Sequence, residues 1–424
     1  MKTVRLGIAG LGTVAQGVLK IVADNGELIA QRSGVELVVV RVASRTPKPG
    51  VDLGGAQFST ELADLYEQDD VDIVIELIGG EQTAYGFIQA AVAAGKPVVT
   101  ANKAVIATQG NTLLADSPVP VRFEAAVAGA IPIIQAIQQG LVANRFEHVV
   151  GIINGTCNYI LTAMRDQGAT FDDALAKAQA LGYAEADPTF DVGGTDAAHK
   201  LAILLGLAFD APFNFDDLYV EGITEITSED IQYAEELGYR IKHLGLARMT
   251  DAGLEARVHP TLVPESQLLA SVNGVLNAVL VKADAAGNTM YSGPGAGGAA
   301  TASAVLADVV ILAQQLTKTG GGRQSDLIDI PVLPISQTRC AYYLRIPARD
   351  EPGVFAQVAN ALSQHGISIE AAIQKEPQAS QNHVAIVILT QVVQESQLTA
   401  AITEVQGLRE VAAGVSCIRV EALD

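Results

Sequence analysis

The sequence predicts a multi-domain α/β chain: a parallel sheet of βαβ units, then an inserted α+β domain, then a small βαββαβ unit at the C-terminus. Three observations predict it. Short β-branched runs alternate with longer helical patterns over roughly the first 125 residues. Amphipathic helical segments then mix with scattered strands. The final stretch follows the order strand, helix, strand, strand, helix, strand.

The first sheet is expected from the runs Val4–Ala9, Glu36–Val42, Asp72–Leu77, Pro97–Thr100 and Pro120–Phe123. In the middle of the chain Phe171–Leu181 and Ala197–Leu207 read as helices, and His148–Ile153 and Leu276–Lys282 as strands. In the tail, strands are expected at Tyr342–Ile346, Ile367–Ile373, His383–Thr390 and Ser416–Val420, with helices at Pro352–Gln364 and Ser396–Val405. That order is a ferredoxin-like fold. Val354, Val358 and Leu362 would line the face of the first tail helix that packs on the sheet. The domain boundaries expected are 1–130, 131–318, a Gly/Ser/Pro-rich linker at 319–340, and 341–424; a helix at 300–318 is a candidate to return to the first domain.

At 424 residues the chain has room for two or three domains of about 150 residues each. Apolar residues make up 49% and charged residues 17%, which excludes disordered, collagen-like and coiled-coil chains. The formal charge of −20 repels phosphate backbones and anionic lipid, so neither nucleic acid nor a membrane is expected as a main partner. Cys157, Cys340 and Cys417 are widely spaced and lack a C-x-x-C pair, as expected of free thiols in a reducing cytoplasm. No run reaches ~18 uninterrupted apolar residues. A soluble, cytoplasmic protein is the expectation.

The first strand runs into Gly10-Leu-Gly12-Thr13-Val14-Ala15, a G-x-G-x-x-G/A pattern between a strand and a helix. Gly10 permits the tight turn and Gly12 lets a pyrophosphate approach the backbone. The helix opening at Thr13 and Val14 supplies N–H donors and partial positive charge, and Ala15 keeps that helix close to the sheet. The expected fold is therefore Rossmann-type, with a dinucleotide cofactor. Where an NAD-preferring chain would carry an acid at the end of its second strand, this one reads Ser44-Arg45-Thr46-Pro47-Lys48. Arg45 and Lys48 can pair a 2′-phosphate, so NADP is favoured, with NAD as the alternative.

Lys103 follows the strand Pro97–Thr100, at the carboxyl end of a parallel sheet, where open α/β folds hold their ligands. The densest chemical cluster is the segment 182–200, with Glu185, Asp187, Asp191, Asp196, His199 and Lys200. Asp196 and Lys200 stand four apart on one helix face, usually a surface ion pair worth a few tenths of a kcal/mol. The residues that follow, Leu201 to Leu205, are apolar, so the pair is expected to be buried and to handle a proton, with Lys103 as a second cation. Asp196 and His199 are only three apart and no second His accompanies them, so a catalytic metal is not expected; His199 reads as a packed or capping residue.

Taken together, the nucleotide loop, the Thr100-Ala-Asn102-Lys103 strand end and the acid-rich 182–200 segment resemble the homoserine dehydrogenase family over residues 1 to about 320. The tail looks like an ACT domain. The resemblance implies reversible hydride transfer between NAD(P)H and aspartate 4-semialdehyde, giving homoserine. It assigns Lys200 as proton donor, Lys103 as the second lysine near nicotinamide and substrate oxygen, and Asp196 as the residue orienting them. It places Glu185, Asp191, Asn154, Gly155 and Thr156 at the substrate and Gly295 at the cofactor, in a glycine turn that structural need alone would also explain. It further implies a sodium site from the Glu124 carboxylate and the carbonyls of Val127, Gly129 and Ile131, an oxygen-only set suited to a hard monovalent cation; the residues alone read as a hinge. Asp350 and Gly353 match the loop where ACT domains bind an amino acid, implying threonine feedback, while a tail serving only subunit pairing stays open. A homodimer or homotetramer is expected. Two other readings stay open: a non-catalytic amino-acid sensor, and another amino-acid or semialdehyde dehydrogenase, of which an acylating one would need Cys157 as its thiol.

Overall fold

The computed structural model describes residues 2–115, 117–213, 215–316, 330–374, 383–412 and 414–421. The chain divides into two compact units: Met1–Gly155 with Asp196–Asp216 and Leu276–Ile330, and Thr156–Thr195 with Asp217–Val275 and Pro331–Asp424.

The first unit holds a six-stranded sheet of β1 (Lys2–Ala9), β2 (Val35–Ala43), β3 (Gln57–Ser59), β4 (Ile73–Glu76), β5 (Val98–Thr100) and β6 (Val121–Arg122). Its spatial order is β3-β2-β1-β4-β5-β6 and every pairing is parallel. That is the Rossmann order, with its ligand crevice outside the carboxyl ends of β1 and β4. The inner strands β4 and β5 are buried on both faces, as strands covered by helices on each side are, while β2 alternates buried and exposed residues over its first half. Helices α1 (Thr13–Ser33), α2 (Gln82–Ala93) and α3 (Lys103–Ala115) supply part of that cover. A late helix, Gly298–Gln315, lies against α1, and Val305 and Val309 join Leu6, Ile8 and Val18 in one core. It is the single described helix apolar and long enough to cross a membrane, yet it also carries Asp308, which is buried and paired with Arg122. A separate antiparallel ribbon of Phe146–Ile152, Leu276–Ala283 and Gly287–Pro294 completes the unit.

In the second unit the long hairpin Tyr239–Thr250/Gly253–Pro264 pairs in parallel with Ser416–Val420. That tail strand pairs with Arg339–Ala348, which pairs with Val384–Thr390, which pairs with Ile369–Gln374. The tail thus has the ferredoxin-like βαββαβ order, and its sheet continues into the hairpin. Its helices Val354–Gln364 and Glu395–Gln406 pack on it through Val354, Val358, Leu362, Leu398 and Val405. Of the expected linker, 319–329 lies outside the described residues. Its end is tethered: Leu333 N–H donates to the Leu254 carbonyl and Leu254 N–H to the Pro331 carbonyl, and a 3-10 turn at Ile335–Gln337 leads into the first tail strand.

Candidate active site

The nucleotide loop forms where β1 ends. Gly10 has φ +98°, and a Cβ there would collide with the Leu77 carbonyl, so glycine is required. Gly12 caps α1, with open space around its Cα where a side chain would stand. The first turn of α1, with Thr13 and Val14, contains no acid, and its N–H groups are left to meet an anion. Ala15 is fully buried in the sheet core. Arg45 and Lys48 are exposed just beyond the end of β2.

The neighbouring strand ends carry a hydrogen-bonded frame. The Thr100 hydroxyl donates to Glu76 (2.5 Å), and Glu76 also accepts the Ile78 N–H (2.7 Å). Asn102 donates its backbone N–H to Thr100 (2.9 Å) and its side-chain amide to the Gly80 carbonyl (2.6 Å). The Asn102 side-chain oxygen accepts from Val105 in the first turn of α3, the helix that Lys103 opens. Glu76 has no exposed surface, and burial raises its pKa against the pull of those donors. Sequence reasoning missed it, although an acid closing the apolar run Ile73-Val-Ile-Glu76 was a visible signal.

Two ammonium groups converge on Asp196. Lys103 Nζ lies 3.1 Å from one carboxylate oxygen and Lys200 Nζ 2.7 Å from the other. Lys200 also donates to the Ile153 carbonyl (2.7 Å), and the Asn154 amide donates to Asp196 (2.8 Å). The Asp196 side chain is 6% exposed and that of Lys200 11%, while Lys103 stays 35% exposed and so faces the open side. Burial pushes Asp196 upward, but Lys200 and Lys103 outweigh it and hold the carboxyl well below the usual range. His199 packs on Phe215, and burial followed by Lys103 lowers its pKa, which keeps the ring neutral. Among the described residues no group of three His, Cys, Asp or Glu is placed to hold a metal.

Glu124 is buried and accepts the N–H groups of Ile134 (2.9 Å) and Gln135 (2.8 Å). Burial pushes it up to about 7. The loop after it turns through Ala128 and Gly129, both at φ +56°, and Ala130 N–H donates to the Pro294 carbonyl beside Gly295 (3.1 Å). Val127, which closes the 3-10 turn Glu124–Ala126, and Ile131 are buried in the same loop.

The remaining predicted residues lie mostly in the second unit. Gly155 opens the helix Gly155–Gln167, in which Thr156 donates to the Tyr183 carbonyl (2.6 Å). Glu185 is exposed, and Asp191 is half-buried in the short helix Thr189–Val192. Cys157 is fully buried and donates to the Asp191 carbonyl (3.3 Å), a poor setting for a nucleophile. In the tail, Asp350 is exposed and Gly353, at φ +92°, caps the helix Val354–Gln364.

An anion-ready helix terminus at the end of β1, with two lysines sharing a buried carboxylate in the same unit, defines a nicotinamide-dependent dehydrogenase. Comparison with known proteins narrows this. Residues 132–310 match the homoserine dehydrogenase family model, 10–119 the homoserine dehydrogenase NAD-binding domain, and 342–410 the ACT domain. The chain is 50% identical to the homoserine dehydrogenase of Pseudomonas aeruginosa and 46% identical to that of Neisseria gonorrhoeae, in each case over 100% of both chains. A crystal structure of a homoserine dehydrogenase from Thiobacillus denitrificans superposes with a TM-score of 0.95 at 49% identity, covering 100% of this chain and 99% of that one. The chain belongs to the homoserine dehydrogenase family and is an oxidoreductase that uses a nicotinamide cofactor.

Proposed function

We propose that the reaction, reduction of aspartate 4-semialdehyde to homoserine and its reverse, runs on the Lys103–Asp196–Lys200 cluster. The observation that carries this reading is one buried carboxylate holding both ammonium groups. When bound, the nicotinamide supplies the hydride that adds to the aldehyde carbon. Lys200 gives a proton to the oxygen that becomes the alcohol, and Lys103 stabilises the negative charge growing on that oxygen. Asp196 stays ionised throughout, because its depressed pKa keeps it from taking the proton back. Asn154, fixed against Asp196, keeps that carboxylate from rotating. Glu185 and Asp191 are the anions for the substrate ammonium, with Asn154, Gly155 and Thr156 as further substrate contacts.

The cofactor is held by the backbone at Gly10, Gly12, Thr13 and Val14, with Lys103 and Gly295 toward the nicotinamide. NADP is preferred, since Arg45 and Lys48 stand exposed past β2 where a carboxylate would repel a 2′-phosphate. A sodium ion fits the loop of Glu124, Val127, Gly129 and Ile131: a carboxyl that burial lifts to about 7 gains from a neighbouring cation, and every donor is oxygen. The ACT tail binds an effector, threonine, at Asp350 and Gly353, and the enzyme works as a homodimer or homotetramer in the cytoplasm.

Initial rates of aspartate semialdehyde reduction with NADPH and with NADH, for the wild type and Lys200→Ala, test the reading. Strong loss in the variant with retained coenzyme binding supports it; near-normal turnover overturns it.

A further inference from the structure

We infer that Arg419, on the last strand of the ACT tail, is a positioning residue for the substrate-side turn that carries Asp191. The guanidinium is buried, at 6% exposure. It donates to both oxygens of Glu395, at the start of the tail helix Glu395–Gln406, across 2.9 and 2.7 Å. It also reaches across to Glu221, which precedes the hairpin in the chain, at 2.6 Å, and stacks over the Tyr219 ring at 4.7 Å. Tyr219 in turn donates its hydroxyl to Glu221 (2.8 Å).

Residues 219–223 form the back wall of the Asp191 turn. Glu221 is pinned from three directions: its N–H donates to the Val258 carbonyl (2.8 Å), its own carbonyl bonds the His243 ring (2.9 Å), and its carboxylate takes Arg419. The next residue, Gly222, lies so close to the Val192 carbonyl and Gly193 Cα that no Cβ fits between them. Ile223 then donates its N–H to the Val192 carbonyl (2.9 Å). A Cβ at Gly194 would sit 3.0 Å from the Val220 side chain, so the turn lies close to residue 220 as well. Asp191 directly precedes Val192, and its own N–H and carbonyl bond within the turn, to Pro188 and Gly194. A shift of Glu221 therefore moves the backbone that aims the Asp191 carboxylate. A buried guanidinium shared by two carboxylates needs a fixed fork geometry, which explains an arginine at this point of the tail.

The inference rests on Asp191 being a substrate contact, and the experiment separates the two. Steady-state kinetics and NADPH affinity are measured for the full-length Arg419→Met, Glu221→Gln and Asp191→Asn variants. Glu221→Gln keeps the Arg419–Glu395 pair and so serves if Arg419→Met does not fold. The expected result is a KM for aspartate semialdehyde raised about fivefold or more in Glu221→Gln and Arg419→Met, with kcat and NADPH affinity within about twofold of wild type. The Arg419→Met/Glu221→Gln double variant should be no worse than the more severe single one, since both cut the same link. A folded Glu221→Gln with unchanged KM overturns the positioning role while the Asp191 assignment stands, provided Asp191→Asn raises KM. An unchanged KM in Asp191→Asn overturns the substrate assignment, and the inference with it. Parallel loss of kcat, KM and NADPH affinity in Glu221→Gln marks a generally loosened fold and also overturns it.

Discussion

Thr100 gives its hydroxyl hydrogen to Glu76 across 2.5 Å, joining the carboxyl ends of β5 and β4 at the edge of the nucleotide crevice. The same Thr100 oxygen accepts the Asn102 N–H, one residue before Lys103. A carboxylate without exposed surface is costly, and here it ties the Ile78–Gly80 backbone to the segment that presents Lys103.

Glu76→Gln leaves a single carbonyl oxygen for two donors, the Ile78 N–H and the Thr100 hydroxyl, so one of them loses its acceptor. Stability should fall by about 1–3 kcal/mol, the cost of one buried group left unpaired. Thermal melts against wild type measure this. An unchanged melting temperature would show that the frame re-forms without the charge.

Lys200→Ala should lower kcat by about 10² or more, as expected for loss of a general acid. NADPH affinity, followed by fluorescence titration, should stay close to that of the wild type. Asp196→Asn leaves both ammonium groups without their anion and should cost at least as much.

Arg45→Ala should reduce the preference for NADPH over NADH by about tenfold, a charge-assisted contact worth about 1.4 kcal/mol at an exposed position. The ratio of kcat/KM for the two coenzymes is the measure. Equal effects on both would remove the 2′-phosphate assignment.

Glu124 gives a pH dependence of definite sign. Its pKa rises from 4.5 unfolded to about 7 folded, chiefly through burial, with Asp308 adding to the rise and Arg122 opposing it. Between those values the folded chain keeps a proton that the unfolded chain has lost, so stability falls as pH rises through this window and levels off above it. Sodium favours the ionised form. The gain in melting temperature from sodium chloride over choline chloride at equal ionic strength should therefore be larger at pH 8 than at pH 5.5.

The parts of the site that local spacing encodes were legible in the sequence. The turn at Gly10 and Gly12 follows from a strand running into a helix, and the Asp196–Lys200 contact follows from helix periodicity. The seating of Lys103 on Asp196 could not be read from spacing, because it depends on how a strand end and a distant helix pack in three dimensions; only the resemblance pointed to it. The strand Gln57–Ser59 was missed for a different reason: it is short and largely exposed, so it carries no alternating pattern. The cation loop read as a hinge on its residues alone, and only the resemblance pointed to an ion there. Nor could spacing show that Ser416–Val420 would pair in parallel with Gly253–Pro264, since register between distant segments is set by the assembled sheet.

The helix Gly298–Gln315 has a consequence for biosynthesis of the chain. It fills the groove over α1 with Val305 and Val309, yet it leaves the ribosome long after β1 to β6 have emerged. Until then helix α1 carries an uncovered apolar face at Val18 and Leu19, and the sequence separation of this pairing makes it slow to close. Loss of soluble product when synthesis stops before residue 298 is the expected outcome for a nucleotide domain whose final piece is made last.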